Sequence, residues 1–286
     1  MGISDGTESY VHKHSDVDHE RLIRIARLQA ESAKEACLRA GLVPGSSAID
    51  IGCGPLGALL VLHELIGPTG FIVGLDKSAE ALAKARSLLE PQRSSNYALI
   101  CADINNVDPL ALMPPGPFDF VFCRLVLIHQ TNPLATLRKI ARLVRPGGRI
   151  VVQDSLDDPT YPRLIPSVPA IGEIRRLHYE HMRHRGASPD VARRYSTLCD
   201  YAGLNLIHQR GFFFLFDEPS YPIYTSRTIL ENTQNDLVGL HITNYDHVNS
   251  LLKELTEVDT RVINFSTSTL YIEMIAELPD KKIDRR

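Results

Sequence analysis

Residues 47–57 read SAIDIGCGPLG, a short apolar strand that runs into a loop with glycines at positions 52, 54 and 57. Glycine has no Cβ, so a loop of this kind lets the backbone approach a ligand closely. The N-terminus of the helix that follows favours an anionic group of such a ligand. The GxGxxG pattern alone is a weak signal, because a tight turn without a ligand can have the same sequence.

The alternation of apolar strand and helix continues beyond this loop. Further strands are predicted over Phe71–Leu75, Ala98–Ile100, Phe118–Phe122 and Arg149–Gln153, with helices over Ala58–Gly67, Ser78–Leu89 and Leu134–Val144. Such alternation predicts a parallel sheet with helices on both faces. Two more strands, within Leu206–Phe216 and Val262–Glu277, would complete a mostly parallel seven-stranded α/β sheet. Ligands bind at the carboxyl ends of strands in such sheets, so we look there for the site.

Composition excludes several classes of protein. The 286 residues carry a net charge of −3, and this balance disfavours a nucleic-acid binder. Hydrophobic residues make up 44% of the chain, too many for a disordered protein. No apolar run is long enough for a membrane span, and residues 1–16 lack the apolar core of a signal peptide. The five cysteines are scattered, which predicts reduced and mostly buried thiols in a cytoplasmic protein.

Two carboxylates follow predicted strands at positions that suit a nucleoside. Asp76 closes the second strand and is predicted to accept hydrogen bonds from two ribose hydroxyls. The alternative is a helix N-cap, a role that Ser78 fills equally well. Asp103 follows the third strand and is predicted to bind an adenine amino group, with Ile104 against the ring. An ordinary acid of a surface loop is the alternative for Asp103.

The chain resembles the class I S-adenosylmethionine (SAM)-dependent methyltransferases in five segments that occur in the same order. These segments are IDIGCG, VGLDKS, CADI, FDFVFCRLVLIH and RLVRPGGRIVVQD. Within them the chain is similar to the ubiquinone/menaquinone methyltransferase-like branch, which acts on small molecules. The resemblance covers Ala48–Asp154, and more weakly Tyr10–Gly41, which is similar to a lid. It implies a Rossmann-like domain over residues 46–286, an N-terminal helical lid over residues 1–45, and substrate-cap insertions near 157–187 and 220–258.

The resemblance also implies roles for single residues. The methionine moiety of SAM would be held by Asp50, Gly52, Cys53 and Gly54, the ribose by Asp76 and Lys77, and the adenine by Asp103 and Ile104. Cys123 and Arg124 would face the middle of the cofactor. Apart from the resemblance, Tyr10 could close over the cofactor from the lid, and Arg21 or Arg24 could pair with its carboxylate. One departure is the third glycine, which Pro55 and Leu56 displace to Gly57, so the loop is expected to be longer or bent.

Nicotinamide dinucleotides are the alternative cofactor, because GxGxxG with a distant acid is also their fingerprint. Three features oppose them. A helical segment of some 45 residues precedes the first strand, PGG precedes the fifth strand, and the remaining chain lacks a second mononucleotide-binding half. We therefore expect SAM as the cofactor.

Candidates for catalysis and substrate binding are few. His129 is a candidate general base, although a histidine bonded to the backbone at a helix start would look the same. His14 and His178 are candidate substrate contacts. His178 and His181 would share a helix face that His184 leaves, so no metal site is predicted. Phe212–Phe216 is expected to be a buried strand, whose alternate aromatic side chains could also line an apolar pocket.

These features predict methyl transfer to a small, hydrophobic or aromatic metabolite, such as a secondary metabolite, mainly through proximity and orientation. Two alternative functions would require the same cofactor pocket. The fold could catalyse a cyclisation or rearrangement without methyl transfer, or it could be a SAM-sensing protein without activity. A homo-oligomer stays open, since the apolar lid could be exchanged between subunits.

Overall fold

The computed structural model describes residues 16–90, 96–106, 117–156, 163–218 and 220–280. Its strands are β1 (Ser47–Ile51), β2 (Phe71–Asp76), β3 (Tyr97–Cys101), β4 (Phe118–Arg124), β5 (Val144–Leu156), β6 (Leu164–Ile165), β7 (Asn205–Phe212), β8 (Phe265–Ser266) and β9 (Leu270–Glu277). Its α-helices are α1 (Asp16–Leu28), α2 (Ala30–Arg39), α3 (Leu59–Ile66), α4 (Ala79–Leu89), α5 (Pro133–Leu143), α6 (Pro169–His184), α7 (Tyr195–Ala202), α8 (Ser220–Gly239) and α9 (Tyr245–Glu257).

Seven strands form one sheet in the order β3-β2-β1-β4-β5-β9-β7. The pairs among β1, β2, β3, β4 and β5 are parallel, whereas β9 pairs antiparallel with both β5 and β7. The expected mostly parallel seven-stranded sheet is thus confirmed. Because β1 to β4 run in one direction, the residues that follow them meet at a single edge of the sheet.

The two N-terminal helices differ in what they pack against. A single residue, Gln29, separates α1 from α2. Ala33, Ala36 and Cys37 of α2 are fully buried in the core on one face of the sheet. Helix α1 instead packs on the glycine loop through Ile23, which shares a small apolar cluster with Leu56. The two helices lie within the segment expected to be a lid, but only α1 covers the loop.

Three helices form a cap with a hydrophobic core of its own. This cap comprises α6, α8 and α9, and its buried residues include Leu177, Leu230 and Val248. The three helices lie within the segments expected to be insertions near 157–187 and 220–258. No helix in the described ranges is long and apolar enough to cross a membrane.

Several elements differ from the sequence-based expectation. The prediction of a buried strand over Phe212–Phe216 is wrong, because β7 ends at Phe212 and Leu215 is 71% exposed. The helix predicted over Ser188–Gly203 is split into a 3-10 turn at Val191–Arg194 and helix α7. Strand β5 begins five residues early, at Val144, and runs through the PGG sequence.

Candidate active site

The carboxyl edge of the sheet opens into a cavity of about 330 Å³, a size typical of small-molecule sites. Helix α1 and the cap line other sides of it, and further wall residues come from β9 and from the segments around Arg163, Phe214 and Ser268. Of the residues predicted for the site, the wall includes Arg21, Gly52, Cys53, Gly54, Asp76, Lys77, Asp103, Ile104, Arg124, His129 and His178. Tyr10 and His14 lie outside the described residues.

Positions 54 and 57 of the loop are occupied by glycine for two different steric reasons. Gly54 has φ +53°, and a Cβ there would meet no atom within 4 Å, so it would project into open space at the cavity wall. Gly57 has φ +52°, and a Cβ there would lie 2.3 Å from Asp50 Oδ2. The displaced third glycine is therefore required by the carboxylate beneath it. The open space beside Gly54 is what a closely approaching ligand needs.

Asp50 lies under the loop and does not belong to the cavity wall. Its Oδ2 accepts a hydrogen bond of 2.7 Å from the backbone N–H of Ala58, which fixes the end of the loop. Burial raises the pKa of Asp50 to about 7, while this hydrogen bond and the charge of Arg124 act in the opposite direction. Asp50 thus shapes the loop from within the protein.

Asp76 stands at the end of β2 with both oxygens directed by backbone N–H groups. Oδ2 accepts from Gly54 at 2.7 Å, and Oδ1 accepts from Ser78 at 2.9 Å. Ser78 itself caps α4, since its Oγ accepts from the N–H of Ala81 at 3.1 Å. Asp76 is therefore not needed as the helix cap, and it faces the cavity beside Lys77.

Asp103 and Ile104 follow β3 on the same wall. The Oδ1 atom of Asp103 accepts a hydrogen bond of 2.8 Å from the N–H of Asn105, and Ile104 is buried beside it. A carboxylate with an apolar side chain next to it can bind the amino group and the face of a base. The two acids lie at the ends of adjacent strands, as the ribose and base of one nucleoside require.

Cys123 and Arg124, neighbours in sequence, occupy different environments. Cys123 is fully buried in the hydrophobic core and does not line the cavity, so its side chain is not placed to face a cofactor. Arg124 lines the cavity with 9% of its surface exposed, and its Nη2 donates to the carbonyl of Gly57 at 3.0 Å. Burial lowers the pKa of Arg124 from its ordinary value, against the attraction of Asp50.

His129 ends a 3-10 turn, Leu127–His129, and lines the cavity. Burial lowers its pKa to about 3, and the positive charges of His178, Arg21 and Lys77 act in the same direction. The imidazole is therefore neutral at physiological pH and a weak base.

Helix α6 separates its three histidines. His178 lines the cavity, whereas His181 is buried against α8, with its Nε2 3.6 Å from Asp236 Oδ2. The two histidines, three residues apart on one helix, thus have different neighbours, and His184 is exposed. No cluster of three or more metal-ligating side chains occurs among the described residues.

Part of the cavity wall is aromatic, and we call this part the acceptor half. It is formed by Met182, Phe214, Phe216, Tyr221 and Tyr271. Phe214 and Tyr271 pack edge to face with 5.3 Å between ring centroids, and Phe216 packs on Tyr221 at 4.6 Å. Alternate aromatic side chains after β7 thus line the cavity, although they do not form a buried strand. Tyr179 of α6 also lines the cavity.

Sequence reasoning missed several residues of this wall, and three of them belong to separate parts of the chain. Gln29 lies between α1 and α2, Arg163 precedes the cap, and Tyr271 belongs to β9. Gln29 and Tyr271 are buried, and Arg163 Nε donates to the carbonyl of Thr267 at 3.2 Å. None of the three stands in a motif with a recognisable spacing. Only the fold brings β9 beside β5 and so places Tyr271 at the cavity.

The sheet order with an antiparallel β9 is that of the Rossmann-like fold of class I methyltransferases. Residues 42–177 match the model of a family described as methyltransferase domain. The match covers just under half of the chain.

Known proteins similar to this chain agree with that assignment. Demethylmenaquinone methyltransferase of Geobacillus sp. (strain WCH70) is 26% identical over 145 residues, 51% of this chain and 56% of that protein. Ubiquinone biosynthesis O-methyltransferase of Thiobacillus denitrificans is 36% identical over 105 residues, 36% of this chain and 42% of that protein. The chain thus spans about half the length of the curated relatives it matches.

A solved structure shows the same fold at low identity. Phosphoethanolamine N-methyltransferase 2 of Haemonchus contortus, in complex with phosphomonomethylethanolamine and S-adenosylhomocysteine, superposes with a TM-score of 0.52. The sequences are 16% identical, and the match covers 87% of this chain and 52% of that one. At this identity the similarity concerns the fold alone.

Proposed function

We propose that this protein is a SAM-dependent methyltransferase that acts on a small organic molecule. The observation that carries the proposal is the carboxylate of Asp76, which lies at the end of β2 within hydrogen-bond distance of the loop at Gly54. SAM supplies an electrophilic methyl group on a sulfonium, which a nucleophile takes by in-line displacement. The free thiols of all five cysteines support a cytoplasmic location.

The residues at the sheet edge fit this cofactor. Asp76 offers two carboxylate oxygens for ribose hydroxyls, and Lys77 lies beside it. Asp103 and Ile104 suit an adenine, and the space beside Gly54 admits the chain that bears the sulfur. The arrangement orders these parts along one wall, from the base at β3 to the loop after β1.

Catalysis in this proposal rests on orientation and on exclusion of water. Helix α1 and the cap line part of the cavity, and in this proposal they shield the acceptor and the methyl group from solvent. A general base contributes about 10²–10⁴-fold where one is needed. His129, with its pKa lowered to about 3, is a poor candidate for that task. We therefore assign His129 to the shape and polarity of the wall.

Replacing Asp76 tests the cofactor assignment directly. We expect Asp76→Ala to weaken binding of S-adenosylhomocysteine at least tenfold in calorimetric titration, because the ribose hydroxyls lose their acceptor. Asp246→Ala, which removes an acid from the first turn of α9, serves as the control and should bind normally. Unchanged affinity in Asp76→Ala would mean that the ribose lies elsewhere.

Product analysis separates methyl transfer from the other activities that this fold could host. Once an acceptor is found, one molecule of S-adenosylhomocysteine should form for each molecule of acceptor consumed. Conversion of the acceptor without S-adenosylhomocysteine would instead indicate a cyclisation or rearrangement. Tight cofactor binding without turnover of any acceptor would indicate a SAM sensor.

A further inference from the structure

Gln29 presents an unsatisfied hydrogen-bond acceptor at the wall of the cavity. It is the single residue between α1 and α2, it lines the cavity, and only 4% of its surface is exposed. Its Oε1 atom is buried and accepts no hydrogen bond from any described residue. A buried carbonyl oxygen without a donor costs free energy, so a ligand that supplies an O–H or N–H here would remove that cost.

Tyr271 of β9 is a close neighbour of this amide. Burial raises the pKa of Tyr271, and the side chain of Gln29 acts on the phenol hydroxyl in the opposite direction. Tyr271 pairs with Ser155 near the carboxyl end of β5, and both residues line the cavity. Gln29 therefore faces the part of the sheet edge that β5 and β9 form.

This part of the edge lies away from the two acids assigned to the nucleoside. Asp76 and Asp103 follow β2 and β3, whereas β1, β4 and β5 lie between β2 and β9 in the sheet. At about 4.8 Å between neighbouring strands, β9 is about 19 Å from β2 along the sheet. A cofactor that runs from Asp103 past Asp76 to the glycine loop after β1 leaves the end at β5 and β9 for the methyl acceptor.

The surroundings of Tyr271 are aromatic. Phe214 packs edge to face on it, with 5.3 Å between ring centroids, and Phe216 packs on Tyr221 at 4.6 Å. Burial and the nearby Tyr271 raise the pKa of Tyr221 to about 12, so the two ring pairs adjoin. Rings in such arrangements pack favourably against another aromatic body. The unsatisfied oxygen of Gln29 thus lies beside a surface that suits an aromatic molecule.

The donor that fits this position is a neutral hydroxyl. A buried ammonium group needs a carboxylate as partner. Among the described residues of the wall, the only carboxylates are those that follow β2 and β3. An amide N–H also donates, but its nitrogen is a weak nucleophile. A hydroxyl supplies both the hydrogen for the amide oxygen and the lone pair for the methyl group.

We propose, on the basis of the proposed function, that Gln29 orients the methyl acceptor and that this acceptor is an aromatic compound with a neutral hydroxyl. Oε1 of Gln29 accepts the hydrogen bond of the hydroxyl, and the ring lies against Phe214 and Tyr221. The hydroxyl oxygen forms the bond to the methyl carbon, and the carbon–sulfur bond breaks with its electron pair left on sulfur. The proton is released to solvent, so Gln29 holds the oxygen in line without taking the proton.

A matched set of probes tests the requirement for a hydroxyl. 2-Naphthol, 2-fluoronaphthalene and 2-(aminomethyl)naphthalene share one aromatic body and carry a neutral donor, no donor and a cation. We expect fluorescence titration of the protein loaded with S-adenosylhomocysteine to show 2-naphthol binding at least tenfold more tightly than either of the others, because a site that hydrogen-bonds a hydroxyl rejects analogues without one. Equal affinities for the naphthol and the fluoro compound, or no measurable binding of 2-naphthol, would overturn the proposal.

Substitutions show whether Gln29 accepts this hydrogen bond. Gln29→Met keeps the length of the side chain and removes the amide, so it should lower the affinity for 2-naphthol at least tenfold and leave that for 2-fluoronaphthalene unchanged. Gln29→Glu keeps an oxygen acceptor and should retain the preference. Gln209→Met, on an exposed residue of β7 outside the cavity wall, is the control.

Two results with these variants would contradict the role of Gln29. An unchanged preference for 2-naphthol in Gln29→Met would mean that another group accepts the hydrogen bond. Loss of the preference in both Gln29→Met and Gln29→Glu would make the role of this residue structural. The comparison of probes on the unmodified protein stands even if a variant does not fold.

The ammonium group of the cofactor is the competing donor for Gln29. 5′-Methylthioadenosine lacks the amino acid end of S-adenosylhomocysteine, so it serves as the comparison. If Gln29→Met weakens S-adenosylhomocysteine at least tenfold and leaves methylthioadenosine unchanged, Gln29 binds the cofactor and the proposal is wrong. If the unmodified protein binds neither nucleoside, the proposed function itself fails. Nucleoside binding without a preference for 2-naphthol removes the present inference alone.

Discussion

Gly54 and Gly57 show how two glycines of one loop have different tasks. Both have positive φ, which costs a non-glycine residue about 1–3 kcal/mol. A Cβ at position 57 would additionally lie 2.6 Å from the carbonyl of Cys53. A Cβ at position 54 meets only the open cavity. The first glycine is therefore needed by the ligand and the second by the fold.

This difference predicts separate effects of two alanine substitutions. Gly57→Ala should lower the free energy of unfolding by more than about 3 kcal/mol, because strain and overlap add. Gly54→Ala should cost about 1–3 kcal/mol and also weaken S-adenosylhomocysteine binding. Gly41→Ala is the control, since Gly41 has φ +82° with no atom within 4 Å of a Cβ and does not line the cavity. Urea unfolding and titration of each variant provide the two measurements.

Asp154 offers a prediction about pH. It is fully buried in β5, where Oδ2 accepts from the hydroxyl of Tyr195 at 2.8 Å. Burial raises its pKa to about 7 from an ordinary 3.8, so the folded protein keeps this proton where the unfolded chain loses it. The stabilisation by Asp154 is complete below about pH 3.8 and is lost as pH rises to about 7.

Asp154→Asn should remove this dependence. Between pH 5 and pH 7 the unmodified protein should lose up to about 2.7 kcal/mol relative to the variant, at 1.36 kcal/mol per unit. Asp50 behaves similarly but is present in both proteins, so it cancels in the difference. Parallel stability curves for the two proteins over this range would contradict the assignment. Asp246→Asn, which changes an acid on α9, is the control.

At the scale of elements, a buried carboxylate of β9 connects α2 to the sheet. Glu273 of β9 has a fully buried side chain that accepts from Arg39 of α2 at 3.0 Å, Arg210 of β7 at 3.0 Å and Gln153 of β5 at 2.7 Å. Arg210 also reaches Glu35 of α2, at 3.4 Å. A carboxylate so placed stabilises only while its partners remain.

Breaking this cluster should destabilise the whole protein. Glu273→Ala is expected to lower the free energy of unfolding by about 3–5 kcal/mol, because it leaves arginines without their buried counter-ion. Glu277→Ala on the same strand removes a partly exposed pair with Arg149, and it should cost about 1 kcal/mol or less. If urea unfolding gave similar losses of unfolding free energy in the two variants, the buried cluster would stabilise the protein no more than the partly exposed pair.

At the scale of the whole molecule, the cavity depends on three bodies at once: the sheet edge, α1 and the cap. A ligand that bridges them should therefore stabilise the entire fold. At 100 times its dissociation constant, S-adenosylhomocysteine should add about 2.7 kcal/mol and raise the melting temperature by several degrees. NADH at the same concentration is expected to give no shift. A shift with NADH alone would reverse the assignment of the cofactor.

The sequence predicts those parts of the fold and the site that are marked by a pattern of neighbouring residues. The strands and the acids Asp76 and Asp103 are predictable, because each stands beside its own strand-and-loop pattern. The same reasoning places Cys123 at the cofactor, but the alternation of side chains along β4 turns its thiol into the core. Arg163 and Tyr271 depend on segments far apart in the chain, and no local spacing marks them. The cofactor half is therefore more predictable than the acceptor half.

The break between α1 and α2 at Gln29 is a suitable junction for chimeric proteins. A chimera that exchanges the N-terminal segment at residue 45 would separate Arg39 from Glu273 and carry away half of a buried ionic contact. A junction at residue 29 would exchange α1 alone, together with the wall that it gives to the cavity. If the proposed function holds, grafting α1 from known methyltransferases at residue 29 is a route to new acceptor preferences that leaves the contact of α2 with the sheet unchanged.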